Sequence, residues 1–157
     1  MKKFSFILLL MAILFQGCVS YRQIELVDVE FGKVKMKALT KAEMQVTLKI
    51  NNPTKSIFYI SDLNGSLDGA GTEFARFSLV EEVAVQPGSP SLVPARIAVE
   101  VTDPLALMAK GFNLQAMMKE NFTVDAAVQV RKGVAKKWFR VKDIPLQELL
   151  ENLNLKL

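Results

Sequence analysis

The chain has 157 residues, 50% of them hydrophobic and 23% charged, with a formal net charge of +4. This length corresponds to one globular domain with a sizeable core. Histidine is absent and cysteine occurs once, which excludes the common zinc sites and the nucleophile systems that depend on histidine. We therefore expect no metal, no cofactor and no enzymatic activity, although carboxylates remain available for acid–base chemistry.

The N-terminus has the layout of a secretory signal. Two lysines precede an almost uninterrupted apolar run over residues 4–15, and Gly17 lies just before the single cysteine, Cys18. The run is shorter than the ~20 apolar residues that a helix needs to cross a membrane. We therefore expect residues 1–17 to be a removable signal peptide rather than a transmembrane anchor.

Residues 15–18, with the sequence Phe-Gln-Gly-Cys, resemble the lipobox of bacterial lipoproteins. The resemblance implies cleavage before Cys18 and attachment of several acyl chains, such as palmitate, to this residue. Because an unpaired thiol is a liability in an oxidising compartment, lipidation is favoured over an ordinary secretory signal with an incidental cysteine. Val19-Ser20 contains no acidic residue, and resemblance to enteric lipoproteins then implies the outer membrane, facing the periplasm.

Cleavage would leave a short lipidated tether over residues 18–23 and one domain over residues 24–157. Period-two alternation, which is typical of half-buried strands, is clearest at residues 44–50, 97–101 and 122–130. Shorter runs predict one or two strands around Gly32, over residues 24–31 and 34–38, and further strands at residues 57–60, 74–79, 82–85 and 134–141. Residues 86–90 are predicted to form a loop. Many short strands separated by frequent turns predict an all-β sandwich or barrel.

Short helices are predicted at three places. Asp103 is a suitable N-cap before Pro104, and the helix that follows over residues 105–110 would end at Gly111. Asn113 could cap a second short helix. After Pro145, leucines spaced i, i+3, i+4 and i+7 predict a C-terminal amphipathic helix: Leu146, Leu149, Leu150 and Leu153.

The stretch Val-Thr-Leu-Lys-Ile-Asn-Asn-Pro over residues 46–53 resembles the signature of group 2 late embryogenesis abundant proteins, also called LEA14-like or water-stress/hypersensitive-response domains. The family pattern continues with Gly71, Phe74-Ala75, Pro94-Ala95 and the alternating strand over residues 97–101. The resemblance implies an immunoglobulin- or fibronectin-III-like β-sandwich. It also implies an association with desiccation and other stress, and it supplies no catalytic residues.

An apolar ligand site is one interpretation of the segment after Pro104. Met108, Phe112, Met117 and Met118 would supply adaptable apolar side chains for it. The alternative is that the short helices cap an open end of the sandwich core. The C-terminal leucines likewise either bind a partner or pack against the domain itself.

A basic and aromatic patch near the C-terminus is a candidate membrane contact. Lys136, Lys137 and Trp138 combine positive charge with an aromatic ring, as patches that contact lipid headgroups do. The alternative is that the lysines protect an edge strand from pairing while an aromatic side chain enters the core.

Two further motifs have a structural and a functional interpretation. Asn52-Pro53 could form a recognition loop, but an Asn that hydrogen-bonds the backbone before a strand-ending Pro is the favoured interpretation. Glu81-Glu82 is a carboxylate pair, as used in acid–base chemistry. Because adjacent strand residues point to opposite faces, we expect the two carboxylates to diverge.

These features predict a non-enzymatic, lipid-anchored binding or structural module of the cell envelope, associated by resemblance with stress. Its expected partners are a membrane, through the lipid on Cys18, and an unidentified envelope protein or apolar ligand. The alternative is a carrier of lipid or another apolar molecule, which would need a continuous apolar cavity. Nucleic acid is not expected, because the basic residues are spread thinly and the chain is exported.

Overall fold

The computed structural model describes residues 23–110 and 121–152. These ranges contain eight strands and two helices: β1 (Glu25–Ala38), β2 (Lys41–Asn52), β3 (Phe58–Gly69), β4 (Thr72–Leu79), β5 (Val83–Val85), β6 (Gly88–Val101), α1 (Pro104–Lys110), β7 (Thr123–Lys132), β8 (Ala135–Pro145) and α2 (Leu146–Asn152). The expected signal peptide, Cys18 and the helix predicted after Asn113 lie outside the described residues.

The strands form an antiparallel sandwich, as predicted from the alternation. Strand order is β1-β2-β6-β4-β3-β7-β8, and β5 pairs with the start of β3. One sheet contains β1, β2 and β6, and the other contains β4, β3, β7 and β8. The two are joined where β4 pairs with the last residues of β6. β1 and β8 lie at the edges, so the prediction that Lys136 and Lys137 mark an edge strand is confirmed.

Two tight turns set the register of neighbouring strands. Ala70 and Gly71 join β3 to β4 with φ angles of 52° and 78°, the pattern of a type I′ turn. Gly133 has a φ of 59° and precedes Val134 in the turn from β7 to β8, where a positive φ at the first central position indicates type II′. Both turn types match the right-handed twist of paired strands.

The core consists of three adjoining clusters of buried side chains. The cluster beside β5 contains Phe58 and Val85, whose exposed fractions are 0% and 1%. The central cluster joins β1, β2 and β6. The third contains Phe74 and Phe122, whose rings meet edge to face with centroids 5.5 Å apart.

The two helices close the sandwich over the third cluster. Asp103 Oδ1 accepts the Ala106 backbone N–H at 2.9 Å, which confirms the predicted N-cap of α1. Ala106 and, from α2, Leu146 pack against the Phe74–Phe122 cluster. We call this the helical end. The opposite end, formed by the start of β1, the end of β2, the start of β3, β5 and the β7–β8 turn, is called the β5 end.

The prediction of a loop over residues 86–90 is confirmed for residues 86–87 and wrong for residues 88–90. β6 begins at Gly88, which pairs with Asn52 and adopts a φ of 94°. Residues 86–90 are mostly turn-forming types, but hydrogen bonding to β2 extends β6 back to Gly88. The two runs at 24–31 and 34–38 form one strand, β1, which is irregular between Phe31 and Val34.

Candidate functional site

A groove of about 750 Å³ crosses the outer face of the sandwich. Residues directly opposite each other on neighbouring strands point to the same face of a sheet, and two cross-strand rows of one face line the groove. The first row is Glu43, Ala98, Ser78, Asn64, Ala127 and Arg140, and the second is Lys41, Glu100, Arg76, Ser66 and Asp125. The row between them also contributes lining residues: Ala42, Val99, Phe77, Gly65, Ala126 and Val141. The groove therefore extends from β2 to β8.

Short side chains make up the middle of the first row, namely Ala98, Ser78, Asn64 and Ala127. The neighbouring residues in the same strands point inward, so Phe77 and Val99 pack against the core clusters. Gly65 leaves room for the Phe77 ring, because an added Cβ would overlap both this ring and the Asp125 carbonyl oxygen. Along the first row the groove consequently has a shallow, uncharged floor, whereas the second row is mostly charged.

Ion pairs neutralise the β2 end of the groove. Glu43 lies 3.3 Å from both Lys37 Nζ and Arg96 Nη1, and Lys41 Nζ lies 3.5 Å from Glu100. The hydrogen bond from Lys37 and the positive charge of this lysine, aided by the hydrogen bond from Arg96, hold the pKa of the Glu43 carboxyl below its ordinary value against the opposing effect of desolvation. Glu43 is therefore ionised and compensated at neutral pH.

The β8 end of the groove has a different electrostatic character. The Arg140 guanidinium lies 5.1 Å from the centroid of the Trp138 ring. No ion pair within the described residues involves Arg140 or Lys142. The neighbouring carboxylate of Asp125 accepts the Asp143 backbone N–H at 2.7 Å. Arg140 and Lys142 can therefore bind an acidic group of a ligand.

A smaller pocket of about 240 Å³ lies at the helical end, under α1. Phe74, Ala106 and Phe122 are among its lining residues. Of the residues expected to form an apolar ligand site, Met108 is 71% exposed on α1 and does not line this pocket. Phe112, Met117 and Met118 lie outside the described residues.

The expected membrane-contact residues begin β8, at the β5 end. Lys136 and Lys137 are exposed and Trp138 is half-buried. Lys137 Nζ lies 5.2 Å from the centroid of the Phe139 ring, which is 40% exposed. The three residues therefore form a surface patch, and their contact with a membrane stays a prediction.

Asn52 has the structural role that the sequence favoured. Its side chain is fully buried, and Nδ2 donates to the carbonyl oxygens of Ser56, Val85 and Gln86 at 3.0, 3.4 and 3.2 Å. Its Oδ1 accepts the backbone N–H and the hydroxyl of Thr54 at 3.2 and 2.7 Å. Because the amide is saturated with intramolecular partners, it fastens two loops together.

The two carboxylates of the Glu81-Glu82 pair diverge, as predicted. Glu81 pairs with Arg96 on β6 at 2.9 Å, and Glu82 pairs with Arg131 on β7 at 2.6 Å. The hydrogen bond from Arg131 lowers the pKa of the Glu82 carboxyl. Each carboxylate therefore fastens a different strand.

In residues 23–110 and 121–152, no group of three or more Cys, Asp or Glu side chains is arranged to hold a metal ion. Within the same ranges, neither helix has the length and apolarity needed to cross a membrane.

The groove was not predicted from the sequence. Its floor residues lie on four different strands and are individually inconspicuous. The available signal is that outward positions of several strands carry Ala, Ser or Asn instead of long polar side chains. This signal identifies a groove only when the strand order, which brings those positions into one row, is known.

No protein-family model and no curated protein matches this chain. Solved structures with a related shape include a protein from Archaeoglobus fulgidus, with a TM-score of 0.43, 13% identity and coverage of 75% of this chain and 97% of the other. A FixG-related protein from Vibrio parahaemolyticus has a TM-score of 0.32, 12% identity and coverage of 76% and 95%. A putative late embryogenesis abundant (LEA) protein has a TM-score of 0.32, 14% identity and coverage of 80% and 74%. Likenesses of this degree identify neither a family nor a function.

Proposed function

We propose that this chain is a non-enzymatic, lipid-anchored binding module of the bacterial cell envelope, and that its outer groove holds an extended polypeptide segment of an envelope protein. The observation that carries the proposal is the first cross-strand row, whose middle positions carry short side chains between the charged ends Glu43 and Arg140. An open sheet face that is not filled by its own long side chains has room for a ligand.

The dimensions of the groove support an extended chain as its occupant. Five strand spacings separate Glu43 on β2 from Arg140 on β8, which corresponds to roughly 24 Å measured along the sheet surface, across the junction of β6 and β4, at ~4.8 Å per spacing. An extended polypeptide covers at most ~3.6 Å per residue, so about seven residues fill this length.

The charges at the two ends of the groove set the orientation of the bound segment. The acids at the β2 end already have basic partners, whereas Arg140 and Lys142 at the β8 end have no ion pair among the described residues. A bound segment with an acidic residue at the β8 end complements this pattern, and its polar backbone matches the Ser and Asn side chains of the floor.

Selection from a random peptide library on the purified mature protein tests the proposal. We expect enriched peptides to carry Asp or Glu near one end, and to bind about tenfold more weakly to Arg140→Glu. Ser78→Trp and Ala127→Trp fill the floor and should abolish binding. The matched control is Ala84→Trp, an exposed alanine on β5 outside the groove. Absence of an enriched motif, or equal binding by all the Trp variants, would contradict the proposal.

The anchor is tested separately. Lipidation rests on the lipobox-like residues 15–18 and on the position of the single cysteine directly after the predicted signal peptide. Mass spectrometry of the mature protein should show a chain that begins at an acylated Cys18, and fractionation should place it in the outer membrane, exposed to the periplasm. An unmodified Cys18 or a different cleavage site would overturn the anchor and leave the groove proposal intact.

A role in stress is the finer part of the proposal. It is supported by the resemblance of residues 46–53 to the LEA14-like signature. A strain that lacks the gene should survive drying less well than its parent, and the wild-type gene should restore survival. If the gene carrying Ser78→Trp restores survival to the same level as the wild-type gene, the stress role does not depend on the groove.

A carrier of lipid or another apolar ligand is the second candidate. The inward side of the edge strand β1 supports it, because Phe31, Val34 and Met36 are 52%, 60% and 64% exposed. Under this alternative, an apolar ligand enters between the edges of the two sheets. Native mass spectrometry of the protein from membranes should then show a bound lipid that Val34→Asp removes and Ala84→Asp does not.

A further inference from the structure

We infer that the β5 end of the domain rests against anionic lipid headgroups, while the helical end points away from the membrane. The inference rests on the proposed lipid anchor and adds an orientation to it. β1 begins at Glu25, which pairs with Asn51, so the tether joins the domain at the β5 end. Residues 19–24 separate Cys18 from β1, and at ~3.6 Å per residue they reach roughly 22 Å at most.

The β5 end is basic. Its cationic side chains are Lys55, Arg131, Lys132, Lys136 and Lys137, and its acids are Glu25 and Glu82. Glu82 is already bound by Arg131. Positive charge is therefore in excess on the surface nearest the tether, where basic side chains favour an anionic leaflet.

The helical end has the opposite character. Its acids include Asp68, Asp103, Glu148 and Glu151. The nearby bases Lys41 and Arg76 are each paired with a glutamate, Glu100 and Glu73 respectively. Lys142, at the same level on β8, has no ion pair within the described residues, but the acids outnumber it. The charge distribution along the sandwich consequently orients the domain, because one end is attracted to an anionic surface and the other is repelled by it.

Apolar side chains accompany the basic ones. Val134, in the β7–β8 turn, is fully exposed, and Ile57, in the β2–β3 connection, is 40% exposed. A turn that presents an exposed Val between lysines suits the boundary between headgroups and acyl chains.

This orientation keeps the groove accessible. Glu43 is nine positions from Asn52 along β2, a distance of roughly 30 Å at ~3.3 Å per residue. The groove therefore opens to the side and lies clear of the lipid surface at its β2 end, where a segment of another envelope protein can enter it. At its β8 end, Arg140 is three positions from Lys137 along β8, roughly 10 Å at ~3.3 Å per residue.

The single tryptophan provides the test. Trp138 lies on β8 near the β5 end, so its energy transfer to dansyl-labelled lipid headgroups reports how close that end is to the membrane. The purified protein, with acylated Cys18 verified by mass spectrometry, is placed in vesicles of phosphatidylcholine alone or mixed with phosphatidylglycerol. We expect transfer to be roughly twofold higher with the anionic lipid and to fall when salt is raised.

Two comparisons make the test specific. The double variant Leu105→Trp/Trp138→Phe moves the fluorescence donor from β8 to α1. In anionic vesicles, energy transfer from this variant to the labelled lipid should be lower than transfer from the protein that contains Trp138. Lys136→Glu/Lys137→Glu should lower transfer in Trp138-containing protein, whereas Lys33→Glu/Lys35→Glu, the same charge change on exposed β1 residues farther from the tether, should not. Equal transfer from the two donor positions, or equal transfer in neutral and anionic vesicles, would overturn the inference. An unmodified Cys18 would instead show that the anchor itself is wrong.

Discussion

The side-chain amide of Asn52 donates to the backbone carbonyl of Gln86 at 3.2 Å, and this contact ties the end of β2 to the segment before β6. The same amide binds the carbonyls of Ser56 and Val85. We expect Asn52→Leu to lower the free energy of unfolding by about 3 kcal/mol, because it strands buried carbonyl groups. Asn52→Asp should be at least as damaging, since a carboxylate repels them. Urea unfolding measures both changes. A loss no greater than that of Thr54→Val would contradict this role.

Ala70 adopts a left-handed conformation, with a φ of 52°, in the two-residue turn between β3 and β4. A Cβ at such a position costs about 1 kcal/mol, which Gly avoids and Asn partly offsets. We therefore expect Ala70→Gly and Ala70→Asn to raise the midpoint of urea unfolding. The exposed strand residue Ala84 is the control, and Ala84→Gly should lower the midpoint. Destabilisation by both substitutions at residue 70 would show that the turn is not of type I′.

Gly65 is required by the ring of Phe77, which occupies the space where a Cβ would lie. Gly65→Ala should lower the free energy of unfolding by about 1–3 kcal/mol through overpacking. In Gly65→Ala/Phe77→Leu, the shorter Leu side chain leaves room for the added Cβ. The loss of unfolding free energy in this double variant should therefore be smaller than the sum of the losses in the two single variants. A double-mutant cycle from urea unfolding measures this coupling, and strict additivity would refute the packing explanation.

Arg131 holds the pKa of Glu82 below its ordinary value through a direct hydrogen bond. A lowered folded-state pKa adds stability above the unfolded-state pKa of about 4.3, and this stability is lost as the pH falls through the lowered folded-state pKa. In Arg131→Met, the pKa of Glu82 measured by NMR should return toward its ordinary value. The stability difference from wild type should also narrow as the medium becomes more acidic. Arg96→Met is the control, because it should leave the pKa of Glu82 unchanged.

Much of the fold follows from local sequence patterns. The alternation at residues 44–50 and 122–130 and the cap at Asp103 correspond to β2, β7 and α1. These patterns are readable because side-chain period and capping chemistry are local. The start of β6 could not be predicted from local patterns. Gly88 belongs to the strand because it pairs with Asn52, which is distant in sequence.

The candidate site was less accessible from the sequence. Ser78 and Ala127 acquire significance only because β4, β3 and β7 are neighbours, which places both residues in one row with Asn64. The basic residues of the β5 end pose the same problem, since Lys55 and Lys136 are distant in sequence and the strand topology brings them to the same end of the sandwich. Cross-strand proximity therefore defines both surfaces.

Photo-crosslinking from the groove in intact cell envelopes tests the central claim most directly. A photo-leucine at Ser78, whose small diazirine side chain does not fill the floor as tryptophan does, should crosslink to one extended segment of an envelope protein that has an acidic residue near one end, located by mass spectrometry of the crosslinked peptides. The same probe at Ala84 should not, and Ala127→Trp should abolish the crosslink from position 78. Identical products from positions 78 and 84, or a crosslink that persists in Ala127→Trp, would contradict the assignment of the groove as the binding surface.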